Sequence, residues 1–114
     1  MSWGLNLISV QKLITAKISY IDMRKDVNTA HVYALFDGQE VVKYGKSREI
    51  HKREQSMYRK RKRGDIDFTD FKVIDGPMTE GEALQEETRL IKEFEIKFGK
   101  KPKYNYGVSV DEDE

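Results

Sequence analysis

At 114 residues the chain is one domain's worth, able to bury one modest core. Apolar residues at 38% beside 36% charged residues predict a globular domain with a heavily charged surface; the absence of Cys excludes disulfides and thiolate metal sites, and two distant His argue against structural zinc. Net charge is +1, yet residues 48–63 carry eight Lys/Arg against two acids, whereas residues 64–114 carry seven against fourteen. Such a basic run attracts phosphate backbones whatever the total charge, or else is simply a solvated helix face. No apolar run is long enough to span a membrane, and the start lacks a signal-peptide pattern, so a soluble, cytoplasmic protein with no membrane partner is expected.

In chain order, Leu7, Val10, Ile14, Ile18 and Ile21 recur at helical spacing and predict a first helix within 5–21. Its apolar face would pack on the core or form a homodimer interface. Val32–Phe36 and Val41–Tyr44 are apolar runs separated by Asp37-Gly38, a hairpin signal. Both runs are apolar on both faces, which predicts a sheet covered on each side by helices. Gly45 is expected to end the second strand and Ser47 to cap a helix over Arg48–Arg63, stopped by Gly64. Phe68–Ile74 reads as a third strand ended by Asp75-Gly76-Pro77. Thr79 with Glu82 predicts a capping box opening a helix that runs to Phe98 and ends at Gly99. Pro102–Tyr106 reads as a short extended tail. The expected fold is α/β: a small, central, three-stranded, mainly antiparallel sheet flanked by helices, with an extra N-terminal helix. The expected divisions are an extension over 1–30, a core domain over 31–106 and an acidic tail over 107–114.

Two charges interrupt apolar stripes. Ile50, Arg53 and Met57 share one helix face, so Arg53 should turn inward with its neighbours. On the later helix Ala83, Leu84, Leu90, Ile91, Phe94 and Phe98 form the expected inward stripe, with Glu87 in its middle. Glu86 points about 100° away from Glu87 around the helix. An inward ionised group is costly unless paired or ligated. The residues alone leave two readings open: a structural Arg53–Glu87 salt bridge, or a site. The aromatics Phe36, Phe68, Phe71, Phe94 and Phe98 are expected in the core.

The ordered set His31-Val32-Tyr33, Val42-Lys43-Tyr44-Gly45-Lys46-Ser47, Lys52-Arg53, Glu87 and Tyr104-Asn105 resembles the GIY-YIG nuclease superfamily over about residues 31–106. The resemblance implies a metal-dependent endonuclease acting on DNA. It implies that Tyr33 activates water, that Arg53 stabilises charge on the scissile phosphate, that Glu87 holds Mg²⁺ (with Mn²⁺ as a substitute) and that Asn105 orders the site. The sequence departs from the pattern at three positions. His31 replaces the leading Gly. Lys43 takes the place of the second Tyr when the chain is aligned through Gly45. Met57 stands where His or Tyr often follows the Arg, with Tyr58 one residue late. Lys43 and Tyr44 must point to opposite strand faces, and Lys43 shares that of Gly45; as a base or a charge stabiliser it joins the expected catalytic set.

Lys46, Arg48, Lys52, Arg59, Lys60, Arg61, Lys62 and Arg63 are expected to hold the DNA backbone, mostly without reading bases. Gly45-Lys46-Ser47 ends like a P-loop, but the upstream Gly is missing, so nucleotide binding is not expected. The alternatives are a catalytically inactive nucleic-acid-binding module of the same fold and a protein-interaction domain. A freestanding core of this size suggests a phage or bacterial source, with the host cytoplasm as location in the former case.

Overall fold

A computed structural model of the chain describes residues 27–106. The helix expected within 5–21, its dimer role and the acidic tail lie outside the described residues. The elements run β1 (Ala30–Asp37), β2 (Glu40–Ser47), α1 (Ile50–Arg63), β3 (Asp70–Met78) and α2 (Glu80–Phe98). The strands form one antiparallel sheet in the order β2-β1-β3. The α/β class and the three-stranded sheet thus agree with the sequence reading.

The central strand β1 is buried on both faces because both carry apolar side chains. Tyr33 and Leu35 pack with Val42, Ile50, Met57, Ile66 and Phe68 on the α1 side. Ala30 and Val32 pack with Ala83 of α2 on the other. The hairpin turns through Gly38-Gln39, with Gly38 at φ 67° and no positive φ at Gln39, the pattern of a type II′ turn. The register moves from Leu35↔Lys43 to Phe36↔Val41, so Val42 is the extra residue of a bulge. That bulge lets Val42 join the cluster around Tyr33.

The helix boundaries follow local chemistry. After α1, Gly64 takes φ 84°, with Gly64 N–H bonded to Arg61 O and Asp65 N–H to Lys60 O, a Schellman stop. Thr79 and Glu82 form the reciprocal capping box of α2, and Gly99 at φ 78° ends that helix. The start of α1 differs from expectation. Ser47 is the last residue of β2, Arg48 lies outside the helix, and Glu49 precedes it without a side-chain cap. The Ser47 hydroxyl still accepts from Glu49 N–H at 2.9 Å, so it stabilises the turn that leads into the helix.

Other boundaries are corrected too. Gly45 does not end β2, which continues to Ser47. β3 does not stop at Asp75-Gly76-Pro77 but runs through them to Met78. It lies at the sheet edge, where a Pro lacking N–H removes no ladder bond. On α2 the buried residues are Ala83, Glu87 and Phe94, while Leu84 and Phe98 are 51% and 55% exposed. A three-stranded sheet is too narrow to cover the full stripe of a 19-residue helix.

Candidate active site

Tyr33 sits on the central strand with no exposed surface. Its ring stacks on Phe71 at 4.7 Å between centroids, 16° from parallel. The same ring crosses the backbone of the neighbouring strand at Gly45, its register partner. A Cβ on Gly45 would lie 2.3 Å from Tyr33 Cζ and 2.4 Å from its hydroxyl. Gly45 is therefore the floor on which the Tyr33 ring lies, and a side chain there would displace it.

Arg53 reaches the phenol from α1. Its Nη1–H donates to Tyr33 Oη at 3.0 Å and to Lys46 O at 3.2 Å, with the guanidinium carbon 5.7 Å from the Tyr33 ring centroid. A planar guanidinium held by two acceptors and an aromatic ring is fixed in direction as well as place. Lys43 pairs across from Leu35 and lies two residues before Gly45, which puts it on the Tyr33 face. It is 1% exposed. Tyr44 turns to the other face, near α2, where burial first and the Glu93 carboxylate second push its phenol above the usual range, against Arg89.

Among the described residues the buried charged side chains are Lys43, Arg53 and Glu87. Burial of an ionised group costs several kcal/mol unless the surroundings compensate, so each of these three side chains needs compensation from its surroundings. Glu87 lies in the buried stripe of α2 between Ala83 and Phe94. Its neighbour Glu86 is committed elsewhere. Arg89 grips it at 2.6 Å while also reaching Glu93, and the Arg89 hydrogen bond draws the Glu86 carboxyl below its ordinary range.

Asn105 acts on the strand that carries Lys43 and Gly45. Its carboxamide oxygen accepts from Tyr44 N–H at 2.8 Å, and its Nδ2 donates to Tyr44 O at 2.9 Å. The side chain thereby imitates a paired strand residue at the edge of β2. Tyr104 N–H adds a bond to Val42 O at 2.8 Å. Asn105 thus braces β2 at the Tyr44 peptide, one residue from both Lys43 and Gly45.

No family model, curated protein or solved structure matches the chain. The site therefore stands on its own geometry.

The basic residues are dispersed. Lys46 Nζ and Arg48 Nε approach Glu80 at 3.8 and 3.7 Å, at the start of α2. Lys52 pairs with Glu49 and Arg63 with Asp65, each at 2.9 Å. Lys52, Arg59, Lys60 and Arg63 line a groove of about 650 Å³ along the outer face of α1. Lys62 is exposed. Arg61, also exposed, donates to Phe68 O at 3.2 Å and lies over the Tyr58 and Phe68 rings at 4.6 and 5.0 Å. Those contacts anchor the chain that leaves α1.

Sequence reasoning missed the place of Gly45, whose need for a bare Cα comes from a ring on another strand. It also passed over Lys103 and Tyr106, which line a second groove with Lys43. The one available signal was a Lys and two Tyr clustered around Asn105.

Proposed function

We propose that the chain is a GIY-YIG-type endonuclease that hydrolyses or nicks DNA phosphodiester bonds with a divalent cation. The observation that carries this reading is the Arg53 guanidinium seated on the Tyr33 hydroxyl above Gly45, with Lys43 on the same face. A structural salt bridge alone would not need a bare glycine under a tyrosine ring.

Hydrolysis adds a water oxygen to phosphorus and breaks the bond to the leaving sugar oxygen. Negative charge builds on the non-bridging oxygens as the bond order changes. Arg53, fixed by Tyr33 and the Lys46 carbonyl, offers N–H groups to that charge without reorganising. Tyr33 accepts from Arg53, which disposes its own O–H to orient the attacking water. Lys43, from the adjacent strand position, either takes the water's proton or adds positive charge beside the phosphate. Asn105 keeps the segment carrying Lys43 and Gly45 in register.

Glu87 fits a hard cation. It is a carboxylate on a buried stripe, and a single oxygen-donor side chain suits an ion that keeps most of its waters. When bound there, Mg²⁺ or Mn²⁺ would supply Lewis-acid polarisation of the phosphate. No helix among the described residues is long and apolar enough to cross a membrane.

A second reading, a nucleic-acid-binding module that does not cleave, draws on the near-complete burial of Tyr33, Lys43 and Arg53, at 0%, 1% and 3% exposed. Plasmid nicking separates the two. Wild type should relax supercoiled DNA in Mg²⁺ or Mn²⁺ and not in EDTA, and Arg53→Ala and Glu87→Ala should each lose roughly 100-fold or more, the scale for removing one charge-stabilising donor. Circular dichroism checks that both variants fold. Binding without cleavage in either metal leaves the second reading standing.

A further inference from the structure

A second groove opens beside the buried site. It lies between the C-terminal end of α1 and the segment 102–106, with a volume of about 570 Å³. Lys43, Lys60, Arg63 and Lys103 line it, against the single carboxylate of Asp65. Two links connect it to the catalytic face. Lys43 is common to both, and Met57, which also lines the groove, lies one turn beyond Arg53 on α1.

The groove also carries an aromatic platform. Tyr106 is 56% exposed, yet its hydroxyl accepts from Lys101 N–H at 3.1 Å, so the ring is held while its surface stays open. The Tyr104 ring is covered by Lys103 at 5.2 Å, and its hydroxyl accepts from Asp67 N–H. Cations for phosphates beside one open, anchored ring suit a strand whose bases can unstack. In a duplex the base faces are already occupied. An acidic peptide would satisfy the cations but leave the ring without a flat partner.

We propose that this groove seats a single-stranded stretch of nucleic acid next to the scissile phosphate, with a base on Tyr106 and backbone phosphates on Lys60 and Lys103. The inference rests on the nucleic-acid reading above and adds the form of substrate: a junction between duplex and single strand rather than blunt duplex.

Fluorescence anisotropy of the full chain in EDTA tests it apart from cleavage. The probes are labelled oligothymidylate, a blunt duplex of equal length and a poly-glutamate peptide. Tyr106→Ala should weaken oligothymidylate binding at least about fivefold, the lower end for loss of one stacked base, and change duplex binding less than about twofold. Tyr106→Phe should bind oligothymidylate more tightly than Tyr106→Ala, since it retains the ring and loses only the hydroxyl anchor to Lys101. Lys103→Ala should make the plot of log K against log salt shallower by about 0.7 for the single strand. Unchanged oligothymidylate binding in Tyr106→Ala, equal losses on both DNAs, or binding of poly-glutamate but not DNA would overturn the groove assignment. Expected binding without metal-dependent nicking would leave the groove standing and remove the hydrolase reading. Nicking that persists with no Tyr106 effect on binding would do the reverse.

Discussion

At Gly45 the Tyr33 ring occupies the space that any side chain would need. The ring cannot step aside easily. It is fully buried, stacked on Phe71 and tied through its hydroxyl to Arg53. Gly45→Ala should therefore cost about 1–3 kcal/mol of stability, as overpacking does, and abolish nicking by moving Tyr33 and Arg53 together. Gly81 makes the useful contrast. It lies in the first turn of α2 with nothing within 4 Å of a built Cβ. Gly81→Ala should stabilise by about 0.4–1 kcal/mol through a less flexible unfolded chain and leave nicking unchanged. Thermal unfolding and plasmid nicking read both. A Gly45→Ala protein that nicks like wild type would show that the Tyr33–Arg53 pair is not part of the chemistry.

Two fixations hold elements in place at different distances from the site. Thr79 and Glu82 close the capping box of α2, two turns before Glu87. Asn105 brackets the Tyr44 peptide between Lys43 and Gly45. Thr79→Ala should cost about 1 kcal/mol and leave nicking within about twofold, because the cap acts only on the first turn. Asn105→Ala also removes two hydrogen bonds, at about 1 kcal/mol each, but should lower nicking tenfold or more, about the least expected of a misplaced catalytic group. If the two variants lose activity in parallel, Asn105 is structural only. The pair also shows what was legible. The capping box, the Gly64 and Gly99 stops and the hairpin are encoded by residues within a few positions of one another, and local chemistry decides them. The inward turn of Arg53 followed from Ile50 and Met57 on the same stripe, and that of Glu87 from helical spacing. What the chain did not disclose depends on neighbours remote in sequence. The edge position of β3 allows Pro77 within it, and the narrow sheet leaves Leu84 and Phe98 outside. Phe68 lies under Arg61, a contact that helical spacing alone does not disclose.

Over the whole molecule, charge is divided between a basic α1 and an acidic remainder. Exposed partners already engage part of the basic set: Glu80 for Lys46 and Arg48, Glu49 for Lys52, Asp65 for Arg63. Such surface pairs are weak and screened, so a phosphate backbone can exchange for them. The four carboxylates Asp111–Glu114 carry like charge to DNA, and their repulsion reaches only about 10 Å at 0.1 M salt. Deleting them should tighten duplex binding at about 50 mM salt and leave affinity unchanged at about 0.5 M, where screening removes long-range terms. Replacing Arg59, Lys60 and Lys62 together by Ala should instead weaken binding and make the salt dependence shallower by about 2.7 on duplex, at roughly 0.9 per lost phosphate contact. The melting temperature of the triple variant should move little, since Arg59, Lys60 and Lys62 reach the surface. Titrations at several salt concentrations read both effects at once. A slope unchanged by the triple replacement would place the duplex contacts off α1, and DNA would then have to approach the Tyr33–Arg53 pair from the opposite rim of the site.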